Sequence, residues 1–352
     1  MGEIRVAWWN LENLFDTDDD PISADLEFTS AKGWTKQAFE AKKANLAAAI
    51  DELHGGQGPE LLGVAEVEGD DVFEQLLAQT ANQHLAVVKD PDGTSDLRGI
   101  DVSLAYDTRK LQVVERRSHV VHLRYATRDI YEVVLELTET GEQLVVIASH
   151  WPSRRLGKWR SEPSRIAVAE NIAFLVRDHV RVDAKTYEQL RGQDRLAPVV
   201  KKWETKVLLF GDFNDEPGDR SVVEHLQASS EVDRVAGATN DITAFKSQTA
   251  SYRGGDTFLY NGSWKFLAPE NTGTFFMSTT REEAFANRYQ VLDQIICSRG
   301  LLAESGLRLA VDSVAIHNTE TVATKSARPR GFDRKTRKGT SDHLPVTAVM
   351  HY

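Results

Sequence analysis

Cysteine is nearly absent from the sequence, long apolar runs are missing altogether, and each absence excludes a class of protein. The 352 residues contain one cysteine, Cys297, so no internal disulfide can form. This is usual in a reducing compartment and also occurs in many secreted bacterial proteins. No run of about 18 or more uncharged apolar residues offers a membrane-spanning helix, and the start lacks the pattern of a secretion signal. We therefore expect no transmembrane segment and favour the cytoplasm, with secretion left open.

An excess of positive charge is also missing. The chain has 42 Lys and Arg against 53 Asp and Glu, a formal net charge of −11, which argues against a protein that coats nucleic acid through a basic face. The charge is unevenly distributed, because seven side chains between Lys325 and Lys338 are basic and one is acidic. A local basic rim on an acidic body is compatible with this distribution.

Apolar runs alternate with amphipathic segments along the whole chain. The first part predicts strand, helix, strand and helix, in IRVAWWNLENLF, TKQAFEAKKANLAAAIDEL, ELLGVAEVEG and DDVFEQLLAQT. From about residue 99, four alternating runs, separated by short polar or Gly-containing turns, predict antiparallel pairing of successive strands: GIDVSLAYD, LQVVERR, YEVVLELTE and EQLVVIASHW. Later strands are predicted in VLLFGDFN, YQVLDQIICS, LAVDSVAIHN and LPVTAVMHY. Strands throughout the length, with helices between them, favour one α/β domain of two packed sheets flanked by helices.

The motif GDFND is the most specific short signal. Asp212 and Asn214 lie two residues apart at the end of an apolar run, so both side chains point to the same side if the strand continues through them. A carboxylate and an amide would then share a pocket at a strand-to-loop junction, where catalytic groups are often displayed. In isolation, the motif is equally compatible with an ordinary turn rich in Asp, Asn and Gly.

Other apolar runs also carry acidic, amide or imidazole side chains. Asp293 falls inside the apolar pattern VLDQIICS, where a carboxylate is costly to bury unless a cation such as histidine pairs with it. The remaining groups lie at strand ends: Asn10 with Glu12, Glu66 with Glu68, His150, and Asp342 with His343. Each alone is more often a solvated strand end or a turn. Together they supply oxygen ligands for a hard divalent cation, an acid that activates water, an orienting amide and a His/Asp pair.

Seven motifs, in their order and spacing, resemble the endonuclease/exonuclease/phosphatase superfamily. They are WNLENLF, AEVE, RGIDVSLAYD, SHWPS, GDFND, VLDQI and SDHLPV, and they span nearly the full length. The resemblance implies a single domain over residues 1–352, folded as a four-layer α/β sandwich with two mixed sheets between outer helices. It also implies phosphoester hydrolysis with Mg²⁺, for which Mn²⁺ can substitute. The HWPSR form resembles bacterial members whose substrates are largely unassigned.

The resemblance further implies a role for each site residue. It assigns the metal site to Asn10, Glu12, Glu66 and Asp342. Asp212 would orient or deprotonate the attacking water, and Asn214 would hold the water or the phosphate. His343, with Asp293 as its partner, would contact the scissile phosphate. His150 stands where deoxyribonuclease-like members have histidine and abasic-site enzymes have tyrosine, which disfavours specific abasic-site cleavage.

Basic residues beside two motifs favour a nucleic acid substrate, DNA above all. Arg154 and Arg155, which follow the strand of His150, are the predicted substrate contacts, and the basic run 325–338 leads into the last motif. The alternative is a phosphatase or phospholipase-type phosphodiesterase for a small or lipid-linked phosphoester, with the aromatic residues of region 237–288 as a substrate wall or lipid-facing loop. A non-catalytic binding protein of the same fold is a third possibility, disfavoured because no expected site residue is replaced. We expect a monomer.

Overall fold

Two seven-stranded β-sheets and a two-stranded sheet form in the computed structural model, which describes residues 2–18, 27–89, 99–193, 195–236, 257–278 and 288–352. Within these residues the strands are, in chain order, β1 (Glu3–Leu14), β2 (Leu61–Val67), β3 (Leu85–Val87), β4 (Asp101–Asp107), β5 (Leu111–His119), β6 (Ile130–Leu137), β7 (Gln143–His150), β8 (Val207–Asp212), β9 (Ala228–Ser229), β10 (Leu259–Asn261), β11 (Phe275–Phe276), β12 (Tyr289–Gln290), β13 (Asp293–Cys297), β14 (Arg308–Leu309), β15 (Ala315–Ile316) and β16 (Val346–His351).

Each seven-stranded sheet has a parallel pair of strands near its centre. Sheet 1 has the order β14-β16-β1-β2-β4-β3, and β15 also pairs with β16; sheet 2 has the order β5-β6-β7-β8-β13-β10-β9. In sheet 1 β1 and β2 are parallel, in sheet 2 β7 and β8 are parallel, and β16 and β13 are antiparallel to their neighbours β1 and β8. The carboxyl ends of each parallel pair therefore lie together at one edge of its sheet.

Helices cover the outer face of each sheet. The described α-helices are α1 (Lys36–Gly56), α2 (Gly69–Leu77), α3 (Lys158–Val180), α4 (Ala184–Gly192), α5 (Ala197–Trp203) and α6 (Val232–Ala236), of which α6 packs on the cluster between the sheets. Helices α1 and α2 pack on sheet 1, α3 packs on sheet 2, and the inner faces of the two sheets pack on each other. This arrangement confirms the predicted four-layer α/β sandwich with two mixed sheets. None of the described helices is both long and apolar enough to cross a bilayer.

Two adjacent tryptophans on β1 pack on opposite faces of sheet 1. Successive side chains of a strand point to opposite faces, so Trp8 lies between the sheets, with its ring centroid 5.4 Å from that of Phe210, while Trp9 packs in the cluster that includes α1. Truncation of such a fully buried side chain to alanine costs about 3–5 kcal/mol. A Cβ atom at Gly63 would lie 2.3 Å from the Phe210 ring, so the contact between the sheets requires glycine on β2.

Two expectations about strands are wrong. The runs GIDVSLAYD and LQVVERR form β4 and β5, which lie in different sheets rather than pairing with each other, because alternation identifies a strand but not its partner. The run LAVDSVAIHN is not one strand but two fragments, β14 and β15. Ser313 interrupts the ladder between them, since its hydroxyl accepts the Val349 N–H at 2.8 Å and donates to the Ala310 carbonyl.

Candidate active site

Three neighbouring strands of sheet 2 place His150, Asp212 and Asp293 side by side. His150 ends β7, Asp212 ends β8 and Asp293 begins the antiparallel β13. Asp212 is the register partner of both other residues, and all three side chains are buried. The edge of sheet 2 therefore presents two carboxylates and an imidazole in one row.

Sheet 1 contributes Asn10, Glu66 and His343 from the facing edge. Regular pairing of β1 with β2 stops at Asn10, beside Glu66. Ser341 holds the segment before β16 against this point: its hydroxyl donates to the Asn10 carbonyl at 2.6 Å and accepts the His343 N–H at 3.0 Å. The Trp9 indole N–H donates to the His343 carbonyl at 2.9 Å. Strand ends of both sheets thus meet at one site.

Asp212 lies at the centre of this site. Its Oδ2 accepts from Nδ2 of Asn10 at 3.1 Å and lies 3.4 Å from Nε2 of His150 and 3.8 Å from Nε2 of His343. Its Oδ1 accepts the Asn214 N–H at 2.9 Å. Burial raises the pKa of Asp212 to about 7, although the charge of His343 opposes the shift. A carboxylate with this pKa is suited to accept a proton near neutral pH.

His343 and Asp293 form a buried pair. Nδ1 of His343 donates to Oδ2 of Asp293 at 2.7 Å, and the indole N–H of Trp8 donates to the other carboxylate oxygen at 2.9 Å. The Asp293 N–H donates to the Thr274 hydroxyl at 3.1 Å. Burial alone would lower the pKa of His343, but the charges of Asp293 and Asp212 outweigh it and raise that pKa well above its ordinary value. The imidazole is therefore held in one orientation and favoured as a cation.

Three site residues have left-handed backbone conformations, with φ of 54° at Glu12, 62° at Glu66 and 47° at Asn214. Residues with a Cβ atom rarely adopt this region, at a cost on the order of 1–3 kcal/mol each, and such strain clusters at functional sites. At Asn214 the bend allows Nδ2 to donate to the Trp151 carbonyl at 3.0 Å. The amide is thereby fixed beside the ends of β7 and β8.

The carboxylates of Glu12, Glu66 and Asp342 lie near enough to one another for their charges to interact, and we refer to these three residues as the acidic pocket. Burial raises the pKa of Glu12 to about 7, opposed by Lys42. Burial also raises the pKa of Asp342, and the charge of Glu66 adds to the shift. Oε2 of Glu12 accepts the Phe332 N–H at 2.8 Å. Carboxylates this crowded gain from a nearby cation.

Two groups of side chains could hold a metal ion. Ligand atoms of Asp212, Asp293 and His343 lie within 4.8 Å of one another, but their imidazole is engaged by a carboxylate and Mg²⁺ prefers oxygen ligands. The acidic pocket and the Asn10 amide offer only oxygens. The amide is oriented because its Nδ2 donates to Asp212 while its Oδ1 accepts a backbone N–H at 3.0 Å. Glu66, with its side chain 15% exposed, leaves access for water ligands, so this donor set fits a hard divalent cation.

Lys42 is a site residue that sequence reasoning missed. It is buried on α1; its ammonium donates to the Glu12 carbonyl and lies 5.9 Å and 5.5 Å from the ring centroids of Trp34 and Phe332. Burial lowers the pKa of Lys42 to about 8, against the attraction of Glu12. A lysine in an amphipathic helix is normally exposed. The available signal was its place in the apolar stripe of α1, four residues before the buried Leu46.

Arg154 is turned into a network of carboxylates rather than toward solvent. It donates to Asp215 at 2.9 Å, to Asp219 at 2.6 Å and to the Asn214 carbonyl, and its side chain is 8% exposed. Arg155 is exposed. Of the two predicted substrate contacts, only Arg155 therefore faces solvent, and Arg154 holds the loop that follows β8. Asp215, the buried last residue of GDFND, is a second residue that sequence reasoning missed.

Replacement of Arg154 tests this structural role. Arg154→Gln is expected to lower the free energy of unfolding by about 2 kcal/mol, because Asp215 and Asp219 each lose a charged hydrogen bond and keep only Arg165 and Lys158 as cationic partners. Arg155→Gln, the matched control, should change it by less than about 0.5 kcal/mol. Urea titrations of both variants measure the difference. If Arg154→Gln kept wild-type stability and only raised KM, the guanidinium would be a substrate contact instead.

A basic hairpin, residues 323–340, connects with the acidic pocket. Its two arms are joined by backbone hydrogen bonds, including Thr340 N–H to the Arg330 carbonyl at 2.7 Å. Besides the Phe332 contact with Glu12, the hairpin accepts a hydrogen bond from Asn45 of α1 to the Gly339 carbonyl at 2.8 Å. Its exposed cations are Lys325, Arg328, Arg330, Lys335, Arg337 and Lys338.

Among the described aromatic residues of region 237–288, some pack in the core and one contacts His343. Tyr252 lies outside the described residues. Tyr260 belongs to the core between the sheets and Phe258 packs against it, so these two do not form a substrate wall. The Phe275 ring centroid lies 4.9 Å from that of the His343 imidazole. Among the described residues of this region, β11 therefore lies beside the site.

Known proteins share this fold. No curated protein sequence matches the chain. An endonuclease/exonuclease/phosphatase from Bacteroides vulgatus superposes with a TM-score of 0.54 at 13% identity, covering 100% of this chain and 99% of that one. The mannosyl-6-phosphatase of Bacteroides thetaiotaomicron gives 0.52 at 15% identity, covering 99% and 100%. D. rerio TDP2 complexed with single-strand DNA product gives 0.52 at 12% identity, covering 100% of both chains. At such identities the similarity concerns the fold alone.

A family match extends over most of the chain. The Endonuclease/Exonuclease/phosphatase family model matches residues 5–270, a span that includes the strands carrying Asn10, Glu66, His150 and Asp212. Members of this family are hydrolytic phosphoesterases. The chain belongs to the endonuclease/exonuclease/phosphatase family.

Proposed function

We propose that this phosphoesterase cleaves phosphodiester bonds of nucleic acid, DNA in particular, by in-line attack of water with the help of Mg²⁺ or Mn²⁺. The observation that carries the nucleic acid substrate is the basic hairpin. It places exposed cations on an element that is hydrogen-bonded to the acidic pocket, in a chain whose net charge is −11. The phosphates that flank the scissile bond of a nucleic acid would contact such a surface. A small phosphoester has no flanking phosphates and would not need it.

The geometry supports a distinct chemical role for each of these side chains. Asp212 would accept a proton from water as the water oxygen bonds to phosphorus and the opposite ester P–O bond breaks. His343, held by Asp293, and His150 would face the developing negative charge, while Asn214 orients the water or the phosphate. The leaving oxygen takes the electron pair of the broken bond and is protonated from solvent. A divalent ion held by Asn10, Glu12, Glu66 and Asp342 would supply charge neutralisation at the phosphoryl and leaving oxygens.

Hydrolysis of circular plasmid DNA is the direct test, run with Mg²⁺ or Mn²⁺ beside an inositol phosphate, sphingomyelin and bis(para-nitrophenyl) phosphate. We expect nicking of the plasmid that EDTA abolishes. Metal-dependent turnover of a small or lipid phosphoester without nicking would keep the mechanism and replace the substrate. Nicking that persists in EDTA would overturn the role of the metal.

Loss of two hairpin cations should weaken DNA binding selectively. The double variant Lys335→Gln/Lys338→Gln is expected to raise KM for plasmid about tenfold and to reduce the slope of log Kd against log salt by about 0.9 for each phosphate that the variant no longer neutralises. Turnover of bis(para-nitrophenyl) phosphate should not change. The control Lys185→Gln/Lys201→Gln removes the same charge from α4 and α5. Equal effects of the two double variants would mean that net charge, and not the hairpin, attracts DNA.

A further inference from the structure

We propose that Lys42 is a positioning residue of the metal site, whose buried positive charge offsets one carboxylate of the acidic pocket and so keeps the affinity for the divalent cation low. The inference rests on the proposed metal-dependent function. It goes beyond that function by assigning a role to a helix residue that none of the recognised motifs contains.

The Lys42 ammonium is buried where it loses nearly all of its water. The residue is 2% exposed, and a lysine this buried requires compensation for the water that its ammonium gives up. Part of this compensation comes from the hydrogen bond to the Glu12 carbonyl. The cation–π contacts with the rings of Trp34 and Phe332 supply more of it. The protein places this ammonium on the side of α1 that faces β1, where an apolar residue would otherwise complete the stripe.

The charges around this ammonium are those of the acidic pocket. The anionic groups that act on Lys42 are Glu12, Asp342 and Glu66, which are the three members of the pocket. Loss of the Lys42 ammonium removes one positive charge from beside these carboxylates, while the charge of Arg334 remains. A cation entering the pocket is repelled by the fixed ammonium, so removal of that ammonium strengthens cation binding through Coulomb attraction.

Lys42 also joins separate parts of the site. Its hydrogen bond is made to Glu12, two residues after Asn10, at the point where the chain adopts a left-handed conformation. The Phe332 ring beside it belongs to the basic hairpin, and the backbone N–H of Phe332 donates to the Glu12 carboxylate. A purely structural role would therefore predict that loss of Lys42 displaces Glu12 and Asn10 and weakens cation binding, the opposite of the electrostatic prediction.

Direct titration of Mn²⁺ at pH 7, followed by electron paramagnetic resonance or calorimetry, separates the two roles. Lys42→Met should bind Mn²⁺ about tenfold more tightly or better than the wild type. Lys42→Gln keeps an N–H donor for the Glu12 carbonyl and should give the same shift, which assigns the effect to charge and serves if the methionine variant does not fold.

Lys43 is a matched control on the same helix. It is also buried and its Nζ lies 4.1 Å from the Phe39 ring centroid, but it bonds to Glu40 and Gln75 instead of the pocket. Lys43→Met should leave Mn²⁺ affinity unchanged. Equal or weaker Mn²⁺ binding by folded Lys42 variants would overturn this inference alone. Absence of Mn²⁺ binding by the wild type would overturn the metal site itself, and this inference with it.

Discussion

Asp212→Asn is expected to lower kcat for phosphodiester hydrolysis by about 10³–10⁴-fold while the protein stays folded, because the carboxylate is the group placed to take a proton from water. The substitution keeps the size of the side chain and one oxygen, which can accept from Asn10 Nδ2 or from the Asn214 N–H. It also removes a buried carboxylate whose pKa is raised by burial, so the free energy of unfolding at neutral pH should be unchanged or higher. Initial rates with bis(para-nitrophenyl) phosphate and urea titration measure the two effects.

Asp107 offers the matched control. It is a fully buried carboxylate at the end of β4, which pairs with the start of β2 and is therefore remote from Glu66. It accepts hydrogen bonds from Arg109 and Asn82. Asp107→Asn should reduce stability and leave kcat unchanged. An Asp212→Asn variant with near wild-type kcat would remove Asp212 from the chemistry.

Loss of His343 should lower kcat by about 10³-fold, and Asp293→Asn alone by about 10²-fold, because the imidazole acts in the orientation that Asp293 imposes. Since the two residues act as a unit, the double variant His343→Gln/Asp293→Asn should be no slower than His343→Gln. Values of kcat for the wild type, the two single variants and the double variant give the coupling between the two residues. Additive losses would assign the two side chains independent tasks.

A second His/carboxylate pair provides the control for this cycle. His225 lies 2.6 Å from Glu170 on the outer, helical side of sheet 2. His225→Gln removes a comparable ion pair from a surface that no proposed substrate touches. It should therefore leave kcat unchanged, and a loss there similar to that of His343→Gln would show that the assay reports general damage.

Local sequence features predict the strand ends that the structure brings together. The change from apolar to polar residues at the end of a strand is local, so the sequence alone locates Asp212 and His150, and the two-residue period correctly implies a pair of packed sheets. Pairing is not local. The residues between β4 and β5 carry no signal that the chain passes there from one sheet to the other, which is why the sequence wrongly predicts that those two strands pair.

Buried charges are the other limit of prediction. Lys42 and Arg154 belong to residue types that are almost always exposed, and both are buried because their partners arrive from distant parts of the chain. Glu12 meets Lys42 across 30 residues, and Asp215 meets Arg154 across 61. A single sequence reports the helix or loop on which such a side chain lies, but not the group that compensates its burial.

The dispersal of the site along the chain also sets the order in which activity can arise during translation. Asn10 lies on β1, while Asp342 and His343 precede β16, the strand that pairs with β1. A nascent chain that ends before Asp342 has neither the His343–Asp293 pair nor the third carboxylate of the acidic pocket. Contacts between residues more than 300 positions apart must therefore form before the candidate site is complete.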